Sequence, residues 1–507
     1  EIGVRLVGSE MCIRDRRIMK NIFLGKCAVT LVTMSVSCQG YAQQNSKNNQ
    51  PNIVVFIADD AGMDYGCYGN RNISTPNIDK LAERGMRFQN AFLTSPQSSP
   101  SRTSMMTGMF AHTIGTQDLH TGIDDKTKMM PYYFKQAGYN TACMLKTHWG
   151  PNGDKQFDTI IKGGYLPDQG PLNDQLYTNY SRFLDETKDS PFFLWVGFID
   201  PHRPYNRNKC DQINSPDHVT VPPYLVDAPD TRRDLADYYN EISRMDGDIG
   251  KMMAELEKRN LLENTIIVFL SDNGMPFPRA KGTLYDSGIQ TPLIFMWNNR
   301  IIPGSVHKNG LISTIDLAPT LLDLAGINIP ECMYGRGFKD LLFDSSKRGR
   351  EYVFSERNWH DTDEYIRCVR SEKYKLIYNA YYELPHGTSM DLSTSLSWYD
   401  LKNEQRNGTL KKEQSQIFAC PRAMVEIYDL EADPDELNNV ADMEKYKAPG
   451  RKLADQMIKW QKETKDHPWW KNRRGDQNDR ITGFPLFMAR PPFCLLYTSD
   501  AADDRIS

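Results

Sequence analysis

Asn52–Ala58 (NIVVFIA) is an almost unbroken apolar run that stops at Asp59-Asp60. A run without polar alternation reads as a strand buried on both faces. Pro191–Ile199 (PFFLWVGFI) and Thr265–Leu270 (TIIVFL) share that texture, and Met86–Leu93, Tyr139–Leu145 and Thr291–Trp297 read as further extended segments. Helices are expected between them. Pro76–Arg84 opens with Pro and stops at Gly85, Pro131–Gln136 runs up to Gly138, and Ile315–Ala325 ends at Gly326. Ser101–Met109 and the long stretch Asp230–Arg259 complete the set. Strands alternating with helices predict a mostly parallel α/β sheet covered by helices. From about Glu351 the texture changes. Tyr352–Ser355, Tyr365–Arg370 and Lys373–Tyr378 predict a small antiparallel sheet, followed by a turn-rich segment Tyr428–Asn439 and a last helix through Trp460. The expected organisation is a large domain over 51–350 and a smaller α+β subdomain over 351–492.

In open α/β sheets, sites gather beyond the carboxyl ends of strands. Asp59, Lys146, His202 and Asp272 all fall just past such ends. Asp59, Asp60, Asp272 and Asn273 offer hard oxygen donors suited to calcium or magnesium. The amide oxygen of Asn273 in the second pair favours a single hard cation over zinc. Taken alone, adjacent acids after a strand can simply cap the next helix. A third feature changes that reading: the pentapeptide Ser98-Ser99-Pro100-Ser101-Arg102. It places Ser98 just before the helix expected from Ser101, whose free N–H groups suit an anion. Lys146, His148, His202 and Lys281 add groups able to neutralise an anion and protonate a departing atom.

The chain has 507 residues, 39% of them hydrophobic, enough to bury a large core. A net charge of −4 gives no overall basic field for nucleic acid or a membrane surface, so a polyanionic substrate must meet a local basic site. Glu1–Arg16 and Phe493–Ser507 read like translated sequencing adapter, and residues 1–18 and 493–507 are set apart from the fold. Met19-Lys20, the apolar stretch Ile22–Val36 and Gly40-Tyr41-Ala42 predict a signal peptide over 19–42, hence export to the periplasm. A lipoprotein cut before Cys38 fits the preceding residues less well, and no other run is long enough to span a bilayer. The six cysteines of the presumed mature chain, Cys67, Cys143, Cys210, Cys332, Cys368 and Cys420, are scattered without a C-x-x-C pair, which predicts buried free thiols, with one or two bridges allowed in an oxidising compartment, instead of a zinc site or dense disulfide scaffold.

From Asn52 to about Asp466 the chain resembles a type I sulfatase of the alkaline-phosphatase-like superfamily. The resemblance rests on Ala58-Asp59-Asp60, the Ser98–Arg102 pentapeptide, Ser271-Asp272-Asn273-Gly274 and Tyr428-Asp429-Leu430 with Asp433-Pro434. Leu119-His120, His148-Trp149-Gly150-Pro151, Asp200-Pro201-His202-Arg203, Arg244-Met245-Asp246, Met275-Pro276-Phe277-Pro278 and Trp460–Thr464 make it similar to the N-sulfoglucosamine sulfohydrolase group. The resemblance implies a large mixed, mostly parallel sheet sandwiched by helices, with a C-terminal subdomain carrying an antiparallel sheet.

It further implies that Ser98 is oxidised to formylglycine. One hydroxyl of the hydrated aldehyde attacks sulfur; the other then loses its proton and expels sulfate by re-forming the carbonyl. Serine at this position, where cysteine is the alternative, implies an oxygen-independent radical maturase as biogenesis partner. Metal ligation falls to Asp59, Asp60, Asp272, Asn273 and modified Ser98, with calcium preferred and magnesium permitted. Arg102, Lys146, His148, His202 and Lys281 match sulfate-site positions. Lys281 stands where the group usually has Arg, and Thr147 replaces a basic residue; both bear on substrate more than on reaction. The expected activity is hydrolysis of the N-sulfate of terminal N-sulfoglucosamine in heparin or heparan sulfate, with His202 as first and His148 as second choice of proton donor. An O-sulfatase on another sulfated glycan, a phosphoesterase using unmodified Ser98 and a glycan-binding relative without turnover are the alternatives. Arg357–His360 and Arg367–Arg370 are the expected contributors to sugar contacts.

Overall fold

Every residue of Asn52–Ala58 is buried, and the strand they form, β1, lies inside an eight-stranded sheet. The structure is a computed structural model and describes residues 50–161, 174–207, 210–211, 213–467 and 474–486. In chain order the following strands are β2 (Met86–Phe88), β3 (Ala91–Phe92), β4 (Asn140–Leu145), β5 (Thr159–Ile161) and β6 (Phe192–Gly197). Then come β7 (Thr265–Ser271), β8 (Leu293–Met296), β9 (Ser305–His307) and β10 (Ile312–Ser313). Their spatial order in the large sheet is β5-β4-β6-β1-β7-β8-β2-β9, while β3 pairs with β10. β5, β4, β6, β1 and β7 are mutually parallel, and β8 runs antiparallel to both neighbours. The expected mixed, mostly parallel sheet is therefore present.

Parallel strands need crossovers, which cover both faces and leave neither for water. Successive side chains of β1 enter opposite cores, as the two-residue period of a strand requires. Ile53, Val55 and Ile57 pack with Phe193, Trp195 and Leu321. Val54, Phe56 and Ala58 pack with Leu194, Phe269 and the inner face of the helix Pro229–Lys258, through Tyr238, Ile242 and Ile249.

The second sheet contains β11 (Val353–Arg357), β12 (Ile366–Arg370), β13 (Tyr374–Asn379) and β14 (Val425–Asp429), all antiparallel. The helix Lys447–Thr464 lays Leu453 and Met457 against Val369, Leu376 and Ile427. β14 corrects the sequence reading, which saw only turns from Tyr428. Glu426 and Tyr428 are buried side by side and bonded to each other at 2.6 Å, so a carboxylate occupies a core position and disguises the strand's pattern.

Other expectations also change. The helix at the pentapeptide starts at Ser98 itself and runs to Thr107, ending on Gly108 at φ 66°. Pro100 is tolerated there because first-turn N–H groups have no helical partner. Arg367 and Arg370 are not sugar contacts: both are buried, with Arg367 forked onto Asp466 at 2.6 and 2.9 Å and Arg370 bound to Asp286. The six cysteines among the described residues are free, and of these only Cys143 and Cys368 are buried. The predicted signal peptide and both adapter-like ends lie outside the described residues. Among the described residues, no helix is long and apolar enough to cross a membrane.

The Arg367–Asp466 fork ties the end of the last helix to the small sheet. Burial alone would raise the Asp466 carboxyl, but the Arg367 charge and hydrogen bond hold it at about 2. A depressed carboxylate contributes stability above its unfolded pKa and loses it as pH falls through the folded value. Urea titrations should therefore show Asp466→Ala destabilised by about 3 kcal/mol at neutral pH. The gap to the parent should narrow between about pH 4 and pH 2; a constant gap would contradict this.

Candidate active site

Ala58 and Ser271 face each other across the parallel pair β1 and β7, so Asp59-Asp60 and Asp272-Asn273 emerge side by side. Asp60 adopts φ 67°, a left-handed conformation that short polar side chains tolerate. Its N–H donates to Asp272 Oδ1 at 3.0 Å, and Ala61 N–H donates to Ser271 Oγ at 2.9 Å. Asn273 Nδ2 donates to Asp60 Oδ1 at 2.5 Å. All four residues are fully buried.

Ser98 opens its helix directly over them. Its Oγ lies 3.3 Å from both Asp59 Oδ1 and Asn273 Oδ1. One turn on, Arg102 donates from Nε to Asp272 Oδ2 at 2.7 Å, with Nη2 3.6 Å from Asp59 Oδ1. Burial disfavours the charged guanidinium, but Asp272 and then Asp59 more than compensate.

Lys146 follows β4, where Leu145 turns through φ 68°. Its Nζ donates to Asp59 Oδ2 at 2.5 Å and lies 3.5 Å from Ser98 Oγ. Burial pushes the Asp59 carboxyl up, but Lys146 and lesser charges around it bring the balance below the usual range. Lys281 Nζ donates to Asp60 Oδ2 and to Asp391 Oδ2, both at 2.6 Å, and lies 3.4 Å from His202 Nε2. Against the cost of burial, Asp391 and Asp60 hold the Lys281 ammonium well above its ordinary range. Burial would raise the Asp391 carboxyl, but Lys281, with His202 and His360 beside it, holds it well below the carboxylate range.

His202 follows β6. Its Nδ1 is bonded to Arg203 O at 2.5 Å, which leaves Nε2 facing the acids, 3.7 Å from Asp60 Oδ2. The loop is pinned from outside by Arg244 forked onto Asp200 and Arg203 forked onto Asp234. His148 stands one step back. Its Nε2 is 2.8 Å from His120 Nδ1, while its Nδ1 is buried without a partner. Burial, then the Lys146 charge, pushes His148 well down and His120 to about 4. The pair is therefore uncharged at neutral pH.

The structure thus brings Asp59, Asp60, Ser98, Arg102, Lys146, His202, Asp272, Asn273 and Lys281 into one nest, with His148 joined to its wall. Two members were missed. His120 carried a signal in Leu119-His120 but was given no role. Asp391 carried none, since it lies 110 residues beyond Lys281 and only the tertiary fold unites them.

Carboxylate oxygens of Asp59, Asp60 and Asp272 lie within 4.8 Å of one another. With Asp391 they make four acids against the cations of Arg102, Lys146 and Lys281, a net deficit of one positive charge in a buried site. A divalent cation would turn that deficit into a surplus of one, complementary to a sulfate monoester anion. The all-oxygen donor set fits a hard ion such as calcium.

Acids, fixed cations and a nucleophile-bearing helix end, gathered at the carboxyl ends of parallel strands, define a hydrolytic centre for an anionic group. Comparisons with known proteins agree. The family model "Sulfatase" matches residues 51–327, and "N-sulphoglucosamine sulphohydrolase, C-terminal" matches 279–417. Human N-sulphoglucosamine sulphohydrolase is 31% identical over 460 residues, covering 82% of this chain and 91% of its own. An ulvan-active sulfatase of Formosa agariphila is 28% identical over 464 residues, covering 81% and 74%. A solved structure in complex with its substrate D-glucosamine-2-N,6-O-disulfate shares the fold with a TM-score of 0.62 at 21% identity, covering 82% of this chain and 99% of its own. The chain belongs to the sulfatase family.

Gly197, the last residue of β6, controls how closely the lysine and arginine approach. A Cβ there would lie 2.2 Å from Lys146 O and 2.9 Å from Arg102 Nη1. Gly197→Ala should displace both groups and lower kcat/KM on an aryl sulfate by about 100-fold. Circular dichroism should stay near that of the parent, and unchanged turnover would contradict the close approach.

Proposed function

We propose that this chain is an exported, periplasmic glycosaminoglycan sulfatase that removes the N-sulfate of terminal N-sulfoglucosamine in heparin or heparan sulfate. The substrate assignment draws on the similarity to the human sulfohydrolase and on the matched C-terminal model. The observation that carries the reaction is Ser98 Oγ, 3.3 Å from oxygens of both remote acidic pairs at the N-terminus of a buried helix.

In this reading an oxygen-independent radical maturase removes two hydrogens from the Ser98 side chain, and the hydrated aldehyde supplies the nucleophile. A calcium ion held by Asp59, Asp60, Asp272 and Asn273 would acidify that nucleophile and draw charge from the sulfate oxygens. Arg102 fixes Asp272 and Asp59 in register with residue 98. Lys146 and Lys281 supply fixed positive charge to the sulfate, aided by the free first-turn N–H groups of the Ser98 helix. His148 Nδ1, buried and unpartnered, suits a sulfate oxygen as donor once Nε2 is engaged by His120. His202 Nε2 is the proton donor to the leaving nitrogen, its ring held by the carbonyl of Arg203.

An O-sulfatase is the second reading, favoured by lysine at position 281. Co-expression with a serine-type maturase, followed by assays on N-sulfoglucosamine and on 6-O-sulfated N-acetylglucosamine, separates them. Turnover of the N-sulfated sugar is expected; turnover of the O-sulfated sugar alone would refute the substrate. Intact mass should fall by about two hydrogens, and active protein with unmodified Ser98 would instead indicate a phosphoesterase. Chelation should abolish activity and added calcium restore it. Ser98→Ala should remove turnover while saccharide binding persists.

A further inference from the structure

Asp391 has no assigned part in this chemistry, yet it belongs to the site. It rides on the short helix Met390–Ser393, anchored by Met390 N–H donating to Asp361 Oδ2 at 2.9 Å. Its Oδ2 shares the Lys281 ammonium with Asp60. One oxygen of Asp391, one of Asp60 and one ring nitrogen of His202 lie within 4.8 Å of each other. The Asp60 side chain is fully buried, whereas that of Asp391 is 21% exposed. Among the described residues no hydrogen bond reaches Asp391 Oδ1. The carboxylate is thus held on one oxygen and open on the other, beside the imidazole placed to protonate the leaving atom.

We propose that Asp391 is a specificity-determining residue that favours an amine leaving group over an alcohol. This inference rests on the N-sulfate reading and extends it to a named side chain. When an ester S–O bond breaks, the electron pair stays on oxygen, which takes one proton and departs as a neutral alcohol. When a sulfamate S–N bond breaks, sulfur passes to the nucleophile's oxygen and the pair stays on nitrogen. That nitrogen takes one proton to become an amine and a second from water to become an ammonium. Only the second pathway develops a positive charge at the leaving atom, and the Asp391 carboxylate, beside His202, offers Oδ1 as an anionic acceptor for it. Charge-assisted hydrogen bonds of this kind are about twice as strong as neutral ones, and their loss from a partly buried site is correspondingly large.

A simpler role, holding Lys281 in place, predicts something different: removing the charge would weaken every ligand alike. The test uses the matured, calcium-loaded enzyme and two products, glucosamine and N-acetylglucosamine, the second uncharged at nitrogen. Calorimetry on the parent should show glucosamine binding the tighter. Asp391→Asn should weaken glucosamine by about 10- to 100-fold and leave N-acetylglucosamine within about twofold. Asp391→Glu, which keeps the charge, should recover most of the loss. Equal weakening of both sugars, or no preference for glucosamine in the parent, overturns the proposal. Turnover of N-sulfoglucosamine by the parent, with glucosamine affinity retained in Asp391→Asn, would defeat this inference alone. Parent enzyme that cleaves only O-sulfate would defeat the substrate assignment as well.

Discussion

Carboxylates at 0% exposure cannot be left to water, and compensating those of Asp59, Asp60 and Asp272 is the constraint on which the site depends. An isolated ionised carboxylate in an apolar interior costs far more than a fold can supply, so each must be met by a cation or donor at close range. Arg102, Lys146 and Lys281 meet them from a helix, a strand end and a loop. Those three elements are therefore fixed relative to β1 and β7 by the same contacts that arrange the chemistry. Catalytic geometry and structural integrity are here one set of interactions. Loss of either partner would leave the other as an uncompensated buried charge.

The backbone is shaped to permit this convergence. Left-handed Asp60 and Leu145 sit where β1 and β4 deliver their functional side chains, conformations that cost about 1–3 kcal/mol each outside glycine. Gly197 and Gly274 do the opposite task, removing side chains so that neighbouring backbones can close in. Ser355 Oγ donates to Leu93 O, Glu356 N–H to Thr94 O, and Gln97 Nε2 to Trp359 O. The first strand of the small sheet thus buttresses the segment leading into Ser98. Residue 98 is held by packing from both sheets, and a pentapeptide alone would not hold it.

What was legible in the sequence follows the same division. Asp59-Asp60 and Asp272-Asn273 could be read because buried parallel strands are continuous apolar runs that end abruptly in their ligands. Lys146 and His202 were legible for the same reason, each a basic residue just past a strand. β14 was hidden because Glu426 occupies a core position, satisfied by Tyr428, Tyr285 and Asn379 in a way that no local pattern announces. Arg367 and Arg370 were misassigned because an arginine on a strand looks the same whether it meets a sugar or a buried aspartate. Asp391 was invisible because its partners lie in distant segments and its own short helix has no periodicity to read.

Asp391 escaped the sequence for a reason tied to its place in the fold. Asp59, Asp60, Asp272, Asn273 and Lys146 come from strand ends of the large sheet, and Ser98 and Arg102 from the helix packed over them. In the proposed reaction the leaving group would depart toward Lys281, His202 and Asp391, which lie side by side. That wall is completed by a loop beyond β13, outside the framework of parallel strands. Attack on sulfur makes the same demands whatever is attached to it, so its residues can sit on rigid, pattern-forming elements. Protonating and holding what leaves makes demands that change from nitrogen to oxygen and from sugar to sugar. Loops after a scaffold's regular elements can vary without disturbing the buried charges beneath them, and the proposed role of Asp391 would place substrate preference where the sequence is hardest to read.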